Sequence, residues 1–375
     1  LETGEHRVVL PGGAHGRYVP SGQLTGHLIY ARASRLFAVP FDLEEGRVTG
    51  EETLALDGIA YDLRNGGTKL AVSLDGAMAF VPGFDHSEER RLAWLDASGK
   101  RTPLLNKTGR YHDPVASPDR RRIALRVGDA ASSDVYTLDL ESRTLAQVSF
   151  GLQALRPIWT PDGRFLTVGV AEGQGWRLLN LDADGSGPAI ELLRSKNRLY
   201  PGAWSADGST LVFQESSGES GWDLLTLAFD SQGLPRDEAV PLVATAANET
   251  NPSLSADGRF VAYESDHGDG LVNVYVRPFD QPGAQVVVST NGARWPYWGE
   301  EGELYYWRPF SRRILRVEGR SEGNRFLLDK TEVLWAGANE PVVVTMSEFL
   351  GRGLSFDPVG QRFLMLESSE PSVVG

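Results

Sequence analysis

Side chains that could do covalent or acid–base chemistry are poorly spaced for it in this chain of 375 residues. There is no cysteine, which excludes thiolate nucleophiles, thiolate metal sites and disulfides. A serine nucleophile of the hydrolase type needs Gly-x-Ser-x-Gly, because that sequence places the hydroxyl on a tight turn. The nearest approach, Gly218-Glu219-Ser220-Gly221, lacks this spacing. We therefore predict no catalytic residue.

Candidate metal ligands are equally scattered. The six histidines form no pair at a spacing suited to a metal ion; they are His6, His15, His27, His86, His112 and His267. The segment Asp182-Ala183-Asp184-Gly185-Ser186 begins like a calcium loop, but Leu193 stands where an EF-hand needs Glu. We interpret this segment as a hairpin turn and predict no metal and no cofactor. Convergence of distant histidines on one site stays an open alternative.

One phrase recurs along the whole chain: Pro-x-x-Ser/Thr-x-Asp-Gly followed by a short apolar run. Its clearest copy is residues 156–166, and its Asp returns at intervals of about 45 residues. Copies, some of them degraded, lie near positions 25, 75, 119, 162, 207, 257, 301 and 359. Asp-Gly is typical of a turn, since Asp can bond the backbone and Gly accepts a positive φ. We expect the repeated Asp residues to form turns, and Trp159, Trp204 and Trp298 to pack between neighbouring repeats.

Each repeat is predicted to contain four strands. In the clearest copy they span 157–160, 165–170, 176–181 and 190–193, separated by Gly-rich or polar turns. Four strands in a period of this length predict an all-β fold, a β-propeller of four-stranded antiparallel blades. Eight motif positions predict eight blades, or seven if the first or last partial copy forms none. No linker-like segment separates two halves, so we expect one domain spanning 1–375.

The ends of the chain bear on how such a ring would close. Arg7-Val8-Val9-Leu10 is predicted to be a lone strand that pairs with the C-terminal blade, which would remove both exposed sheet edges. Because the chain begins within a blade, we expect it to be part of a longer protein.

Charge and hydropathy narrow the classes of partner. The net charge of −13 argues against nucleic acid, because contacts with phosphates need clustered Lys and Arg. The basic clusters Arg120-Arg121-Arg122 and Arg312-Arg313 are expected in solvated turns. No run of eighteen apolar residues occurs, so no segment of this sequence is predicted to span a membrane.

The repeat resembles that of TolB-type, WD40-like bacterial β-propellers. The segments 17–22, 27–31 and 36–42 resemble more narrowly the propeller regions of extracytoplasmic sensor proteins, as do 274–279 and 360–365. In many of those proteins the propeller follows a Ser/Thr protein kinase domain and one membrane span. The resemblance implies a periplasmic or extracellular binding module, and it allows a tether through an N-terminal region; a cytoplasmic location stays an alternative. No kinase motif occurs in this chain.

The repeat also predicts where a ligand would bind. Residues just before each innermost strand belong to the loops between blades, which surround one mouth of a propeller's central channel. The predicted ligand-binding residues at this mouth are Tyr111, His112, Arg156, Tyr200, Asn251, Arg294 and Trp295. Aromatic, amide and guanidinium groups suit a peptide terminus, a carboxylate or a sugar.

Two functions from different classes follow. The first is a noncatalytic sensor or scaffold domain that binds a protein, a peptide or a small molecule at the channel mouth. The second is an enzyme: a hydrolase or lyase acting at that mouth, or the gating propeller of a prolyl-oligopeptidase-type peptidase whose catalytic domain lies elsewhere. The absence of catalytic motifs favours the first.

Overall fold

The chain divides into two compact units, Leu1–Glu88 and Glu89–Gly375. A computed structural model describes residues 9–10, 14–22, 24–32, 35–56, 70–72, 78–80, 89–128, 132–217, 221–268, 270–280, 283–311, 313–336, 355–357 and 362–368. The two units are treated separately below, and the expectation of a single domain stays a prediction.

The first unit contains an antiparallel five-stranded sheet and a two-stranded ribbon. The strands of the sheet are Ala14–Pro20, Thr25–Arg32, Arg35–Asp42, Arg47–Val48 and Thr53–Leu56. The last two both pair with the third. The ribbon pairs Leu70–Val72 with Met78–Phe80. The motif near position 25 therefore lies in a sheet, whereas position 75 lies outside the described residues.

The second unit contains six four-stranded antiparallel sheets within its described residues. Sheet I consists of Tyr111–Ala116, Arg122–Gly128, Ser133–Asp139 and Leu145–Gln147. Sheet II consists of Leu155–Trp159, Phe165–Glu172, Gly175–Asp182 and Ile190–Ser195. Sheet III consists of Leu199–Trp204, Thr210–Ser217, Gly221–Ala228 and Val240–Val243.

The remaining three sheets follow in chain order, with one exception in sheet VI. Sheet IV consists of Glu249–Leu254, Phe260–Ser265, Asn273–Pro278 and Val286–Val287. Sheet V consists of Arg294–Trp298, Leu304–Arg308, Arg313–Glu322 and Arg325–Ala336, with a 3-10 turn at Pro309–Ser311. Sheet VI consists of Ser355–Asp357, Arg362–Ser368, Arg90–Asp96 and Arg101–Pro103. The prediction of an all-β fold built from four-stranded antiparallel sheets is confirmed.

Sheet VI joins two segments that are distant along the chain. The strand Arg362–Ser368 pairs along its whole length with Arg90–Asp96. Arg7 and Val8 lie outside the described residues, and Val9 and Leu10 form a bend. The predicted pairing of Arg7–Leu10 with the C-terminal blade is not confirmed. The predicted ring of eight blades, or seven, is not confirmed.

The core of the second unit lies between the sheets. Six clusters of buried hydrophobic side chains each join two consecutive sheets, and one of them joins sheet VI to sheet I. The strand Arg90–Asp96 sends Leu92 and Trp94 into one cluster and Ala93 and Leu95 into another, as the twofold period of a strand requires. Because both faces are covered, these strands carry apolar residues with little alternation.

The recurrent Asp-Gly phrase forms the turn between the first and second strands. In sheet III the Ser205 hydroxyl donates to Asp207 Oδ1 over 2.6 Å and accepts from the Thr210 amide over 2.9 Å. Hydrogen bonds from Ser205 and Ser209 lower the pKa of Asp207 to about 2. Gly208 follows with φ of 71°. Among the described motif residues, Asp119, Asp162, Asp207 and Asp257 form such turns, as predicted.

Candidate functional site

The first strands of neighbouring sheets lie side by side in the second unit. Those of sheets I to V each carry a bulge at or beside an X-Pro pair, where their register with the second strand shifts. The residue before proline has a positive φ at Asp113, Arg156, Asn251 and Trp295, between 49° and 54°. This conformation is disfavoured before proline and for any residue with a Cβ. A bulge changes the direction of a side chain. The strained residues therefore lie at the points where the side chains turn toward the neighbouring sheets.

A buried polar network connects these strand beginnings. Arg156 Nη1 donates to Gln214 Oε1 over 3.3 Å and to Asn251 Oδ1 over 3.5 Å. Asn251 Nδ2 donates to Glu264 Oε1 over 2.8 Å, and the Trp295 amide donates to the same oxygen over 2.7 Å. Glu264 is fully buried, and Arg294 Nη1 lies 3.6 Å from its Oε2. Polar groups from sheets II to V thus provide hydrogen-bond partners for one another.

An aromatic ring covers the guanidinium of Arg156. Its Cζ lies 4.5 Å from the centroid of the Tyr200 ring, which stacks on Trp222 with 4.9 Å between centroids. Burial lowers the pKa of Arg156 and raises that of Tyr200. A guanidinium stacked on an aromatic face is stabilised electrostatically even when it is removed from water.

Sheet I contributes a second buried group of charges. Arg90 Nη1 donates to His112 Nδ1 over 3.1 Å, and His112 Nε2 donates to the Gly128 carbonyl over 3.1 Å, which defines a neutral imidazole. Burial lowers the pKa of His112 to about 3, and the nearby Arg126 and Arg90 act in the same direction. Arg126 Nε pairs with Asp113 Oδ2 over 3.1 Å. This histidine is therefore held uncharged between arginines.

Five of the seven predicted ligand-binding residues come together in the buried network: Arg156, Tyr200, Asn251, Arg294 and Trp295. Tyr111 belongs instead to the hydrophobic core between sheets VI and I, and His112 to the group around Arg90. Six of the seven side chains are buried, and Arg294 is the partly exposed one. Arg156 contacts Asn251 and Tyr200, the other contacts of the seven are with neighbouring groups of the protein, and their ligand-binding role stays a prediction.

An open cavity lies at the other ends of the same strands. It has a volume of about 310 Å³ and receives residues from all six sheets. Small residues line it where the first strands end: Ala116, Ser117, Gly202, Ala203 and Ser253. At Gly202 an added Cβ would lie 2.4 Å from Pro252 and 2.6 Å from the Val212 carbonyl, so the backbone approach itself requires glycine.

Aromatic rings form much of the cavity wall: Trp94, Trp159, Trp204, Tyr297 and Trp298. Trp159 Nε1 donates to the Val115 carbonyl over 3.1 Å, and Trp204 Nε1 donates to Thr167 over 2.9 Å. Within the described part of the chain, Trp298 Nε1 is buried without a hydrogen-bond partner. The three tryptophans of the repeat also belong to, or pack against, the clusters between the sheets, as predicted, so they serve both core and cavity.

Three charged side chains complete the lining. Arg120, on the turn of sheet I, pairs with Glu300 on the turn of sheet V, and its Nε lies 3.9 Å from Asp357 Oδ1 on sheet VI. Asp357 also pairs with Arg362 Nε over 2.9 Å, and the Arg362 guanidinium lies 4.4 Å from the Trp94 centroid. The sequence analysis did not single out this charged group, although Arg120 at a glycine position of the motif was a visible signal.

The cavity lining offers aromatic stacking and ion pairing to a bound molecule. Among the described residues no group of His, Asp and Glu could hold a metal ion. Ser220 of the hydrolase-like sequence lies outside the described residues. In the parts of the chain that the structure covers, no helix is long and apolar enough to cross a membrane. The cavity combines aromatic rings with a few charged groups, which is the composition of a recognition site.

Comparison with known proteins supports the fold. No protein-family model matches the sequence, and no curated protein matches it either. Among solved structures it is similar to a putative TolB from Agrobacterium tumefaciens, with 16% identity and a TM-score of 0.56 over 76% of this chain and 99% of that one. TolB from Acinetobacter baumannii is 14% identical, with a TM-score of 0.48 over 92% of this chain and 80% of that one. The chain thus has a TolB-like β-propeller fold, and at such identities the likeness concerns the fold alone.

Proposed function

We propose that the second unit is a noncatalytic binding module, a closed ring of six blades that takes a ligand or a segment of a partner protein in the 310 Å³ cavity. The cavity is the observation that carries the proposal. Its volume lies at the lower end of the range for small-molecule sites. Five aromatic rings and three charged side chains provide the anchors that dominate binding energy in protein interfaces.

The packing of the sheets supports the closed ring. Six sheets and six hydrophobic clusters alternate, and the cluster between sheets VI and I contains Leu364 and Leu366 with Ile123 and Leu125. Sheet VI joins the last strands of the chain to the first strands of the unit, which leaves no interrupted sheet at that point.

A role outside the cytoplasm, within a larger bacterial sensor protein, forms the finer part of the proposal. The resemblance of the repeat to extracytoplasmic sensor propellers supports it, and the absence of cysteine is compatible with an oxidising compartment. The net charge of −13 favours partners other than nucleic acid.

Blocking the cavity tests the binding role. Ala206 and Ala256 occupy the same exposed position in two copies of Ser-Ala-Asp-Gly, but Ala206 lines the cavity and Ala256 does not. A pool of N-acetylated tetrapeptide amides is equilibrated with each protein, and retained peptides are identified by mass spectrometry. We expect wild type and Ala256→Trp to retain the same peptides and Ala206→Trp to lose them.

Equal retention by all three proteins, or retention by none, would overturn the placement of the binding site in the cavity. The same mass spectra test the enzyme alternative, because a hydrolase would convert peptides into shorter products. Intact peptides are the expected result. If shorter products form with wild type but not with Ala206→Trp, the function of the cavity is hydrolysis and not binding alone.

A further inference from the structure

Arg120 occupies a position that the repeat otherwise gives to glycine. In the corresponding turns Gly163, Gly208, Gly258 and Gly302 have φ of 68°, 71°, 70° and 88°. Arg120 adopts the same left-handed conformation, with φ of 59°. A residue with a Cβ is strained there, whereas glycine is not. The turn itself therefore does not explain the arginine.

The side chain of Arg120 contacts residues of two other sheets. It starts from the turn of sheet I, pairs with Glu300 of sheet V and approaches Asp357 of sheet VI. All three residues line the cavity. The guanidinium thus lies between two carboxylates that come from other sheets.

The cavity wall suits a guanidinium. Arg362 stacks on Trp94, a cavity residue, while pairing with Asp357. Arg122 lies 4.6 Å from the centroid of Trp159, another cavity residue. Tryptophan faces attract cations, and carboxylates hold the planar guanidinium through its N–H groups. Trp94 and Trp159 line the same cavity as Arg120 and its two carboxylates.

The contact made by Arg120 can be exchanged. Its side chain is 33% exposed and that of Glu300 is 64% exposed. An ion pair of this exposure contributes little to stability, because water screens it. A second guanidinium could therefore replace Arg120 between the same carboxylates at small cost. The negative net charge of the chain would also attract a cationic ligand.

We propose that the cavity recognises an arginine side chain presented by a peptide, and that Arg120 is an internal competitor that occupies the site when no peptide is bound. This inference rests on the proposed binding function and names the chemistry of its ligand. The peptide guanidinium takes the place of Arg120 beside Glu300 and Asp357, and the flanking residues of the peptide contact the tryptophans.

Calorimetric titration of Arg120→Gly tests this proposal. The probes are acetyl-Ala-Ala-Arg-Ala-Ala-amide and two matched peptides with citrulline or glutamate at the centre. Removing the competitor should tighten binding of the arginine peptide about fivefold, a change in keeping with the weakness of an exposed ion pair. Adding Glu300→Gln to Arg120→Gly should weaken that binding again. The neutral citrulline peptide should bind weakly to every protein.

Arg121→Gly is the matched control, since Arg121 is an exposed neighbour outside the cavity and its loss changes the net charge equally. It should bind the arginine peptide like wild type. If the wild type binds the glutamate peptide and Arg120→Gly does not, Arg120 binds an anion. That result would overturn the inference and leave the binding function intact. Binding of none of the three peptides would also overturn it, while the Ala206→Trp and Ala256→Trp pair decides separately on the binding function.

Discussion

The two ends of the first strands of the sheets in the second unit use the same side-chain chemistry differently. At their beginnings Arg156, Asn251 and Glu264 are buried and bonded to one another. At their ends Arg120 and Glu300 pair over an open cavity and remain partly exposed. Buried charges need their partners to remain folded, whereas exposed ones contribute little and are free to exchange. The first end therefore stabilises the sheets, and the second is available to a ligand.

Removing a carboxylate from each end should give the largest difference in the free energy of unfolding. Glu264→Ala leaves Asn251, the Trp295 amide and Arg294 without their buried acceptor. We expect it to lower the free energy of unfolding by about 3–5 kcal/mol, as breaking a buried charge network does. Glu300→Ala should cost less than about 1 kcal/mol. Urea denaturation of both variants measures these values, and equal losses would contradict the assignment of the two ends.

Part of this arrangement follows from the sequence and part does not. The Asp-Gly turns and the four-strand period are local, since Ser205, Asp207 and Thr210 bond within one turn. The pairing of Arg90–Asp96 with Arg362–Ser368 joins distant segments, and neither segment indicates its partner. Local patterns therefore predicted the sheets, while the sheet that joins the first and last described strands of the second unit needed the structure.

The candidate site shows the same limit. The repeat predicted that residues before each proline would come together, and five of the seven predicted site residues do. It could not show which end of the strands is open, because that depends on volume. Large side chains such as Tyr200 and Trp295 fill one end, whereas Gly202 and Ala203 leave space at the other. The cavity is thus set by small residues that carry no chemical signal of their own.

The next largest effect is expected in the pH dependence of the free energy of unfolding, which should report on the buried residues at the beginnings of the strands. His112 is neutral in the folded protein, where its pKa is about 3 instead of 6.5. Below pH 6.5 the unfolded chain binds a proton that the folded protein does not, so stability falls as the pH falls toward 3. Between pH 7 and pH 5 this loss amounts to about 2 kcal/mol. Stability returns as the pH rises through 6.5.

His112→Gln isolates this effect, because glutamine cannot take up a proton in this range. The free energy of unfolding of wild type and variant is measured by urea denaturation at pH 5 and pH 7. The wild type should lose about 2 kcal/mol more than the variant between these two values. An identical loss in both proteins would mean that His112 is accessible to protons in the folded state.

The smallest change in the free energy of unfolding is expected at Arg120, which has the same backbone conformation as the buried Arg156. Arg120 and Arg156 have φ of 59° and 52°, so replacement by glycine relieves similar strain at each. At Arg156 the substitution also removes the buried hydrogen bonds to Gln214 and Asn251 and the stacking on Tyr200, so it should destabilise the protein. At Arg120 it removes an exposed ion pair with Glu300 and a 3.9 Å contact with Asp357, which keeps Arg362 as its partner, so the loss should cost less than the strain. Arg120→Gly should therefore leave the free energy of unfolding unchanged or raise it by up to about 1 kcal/mol.

Thermal and urea unfolding of Arg120→Gly and Arg156→Gly beside wild type measures the sign of the change at each position. A loss at Arg120 as large as that at Arg156 would show that Arg120 stabilises the fold, and its strained conformation would then need no ligand to explain it.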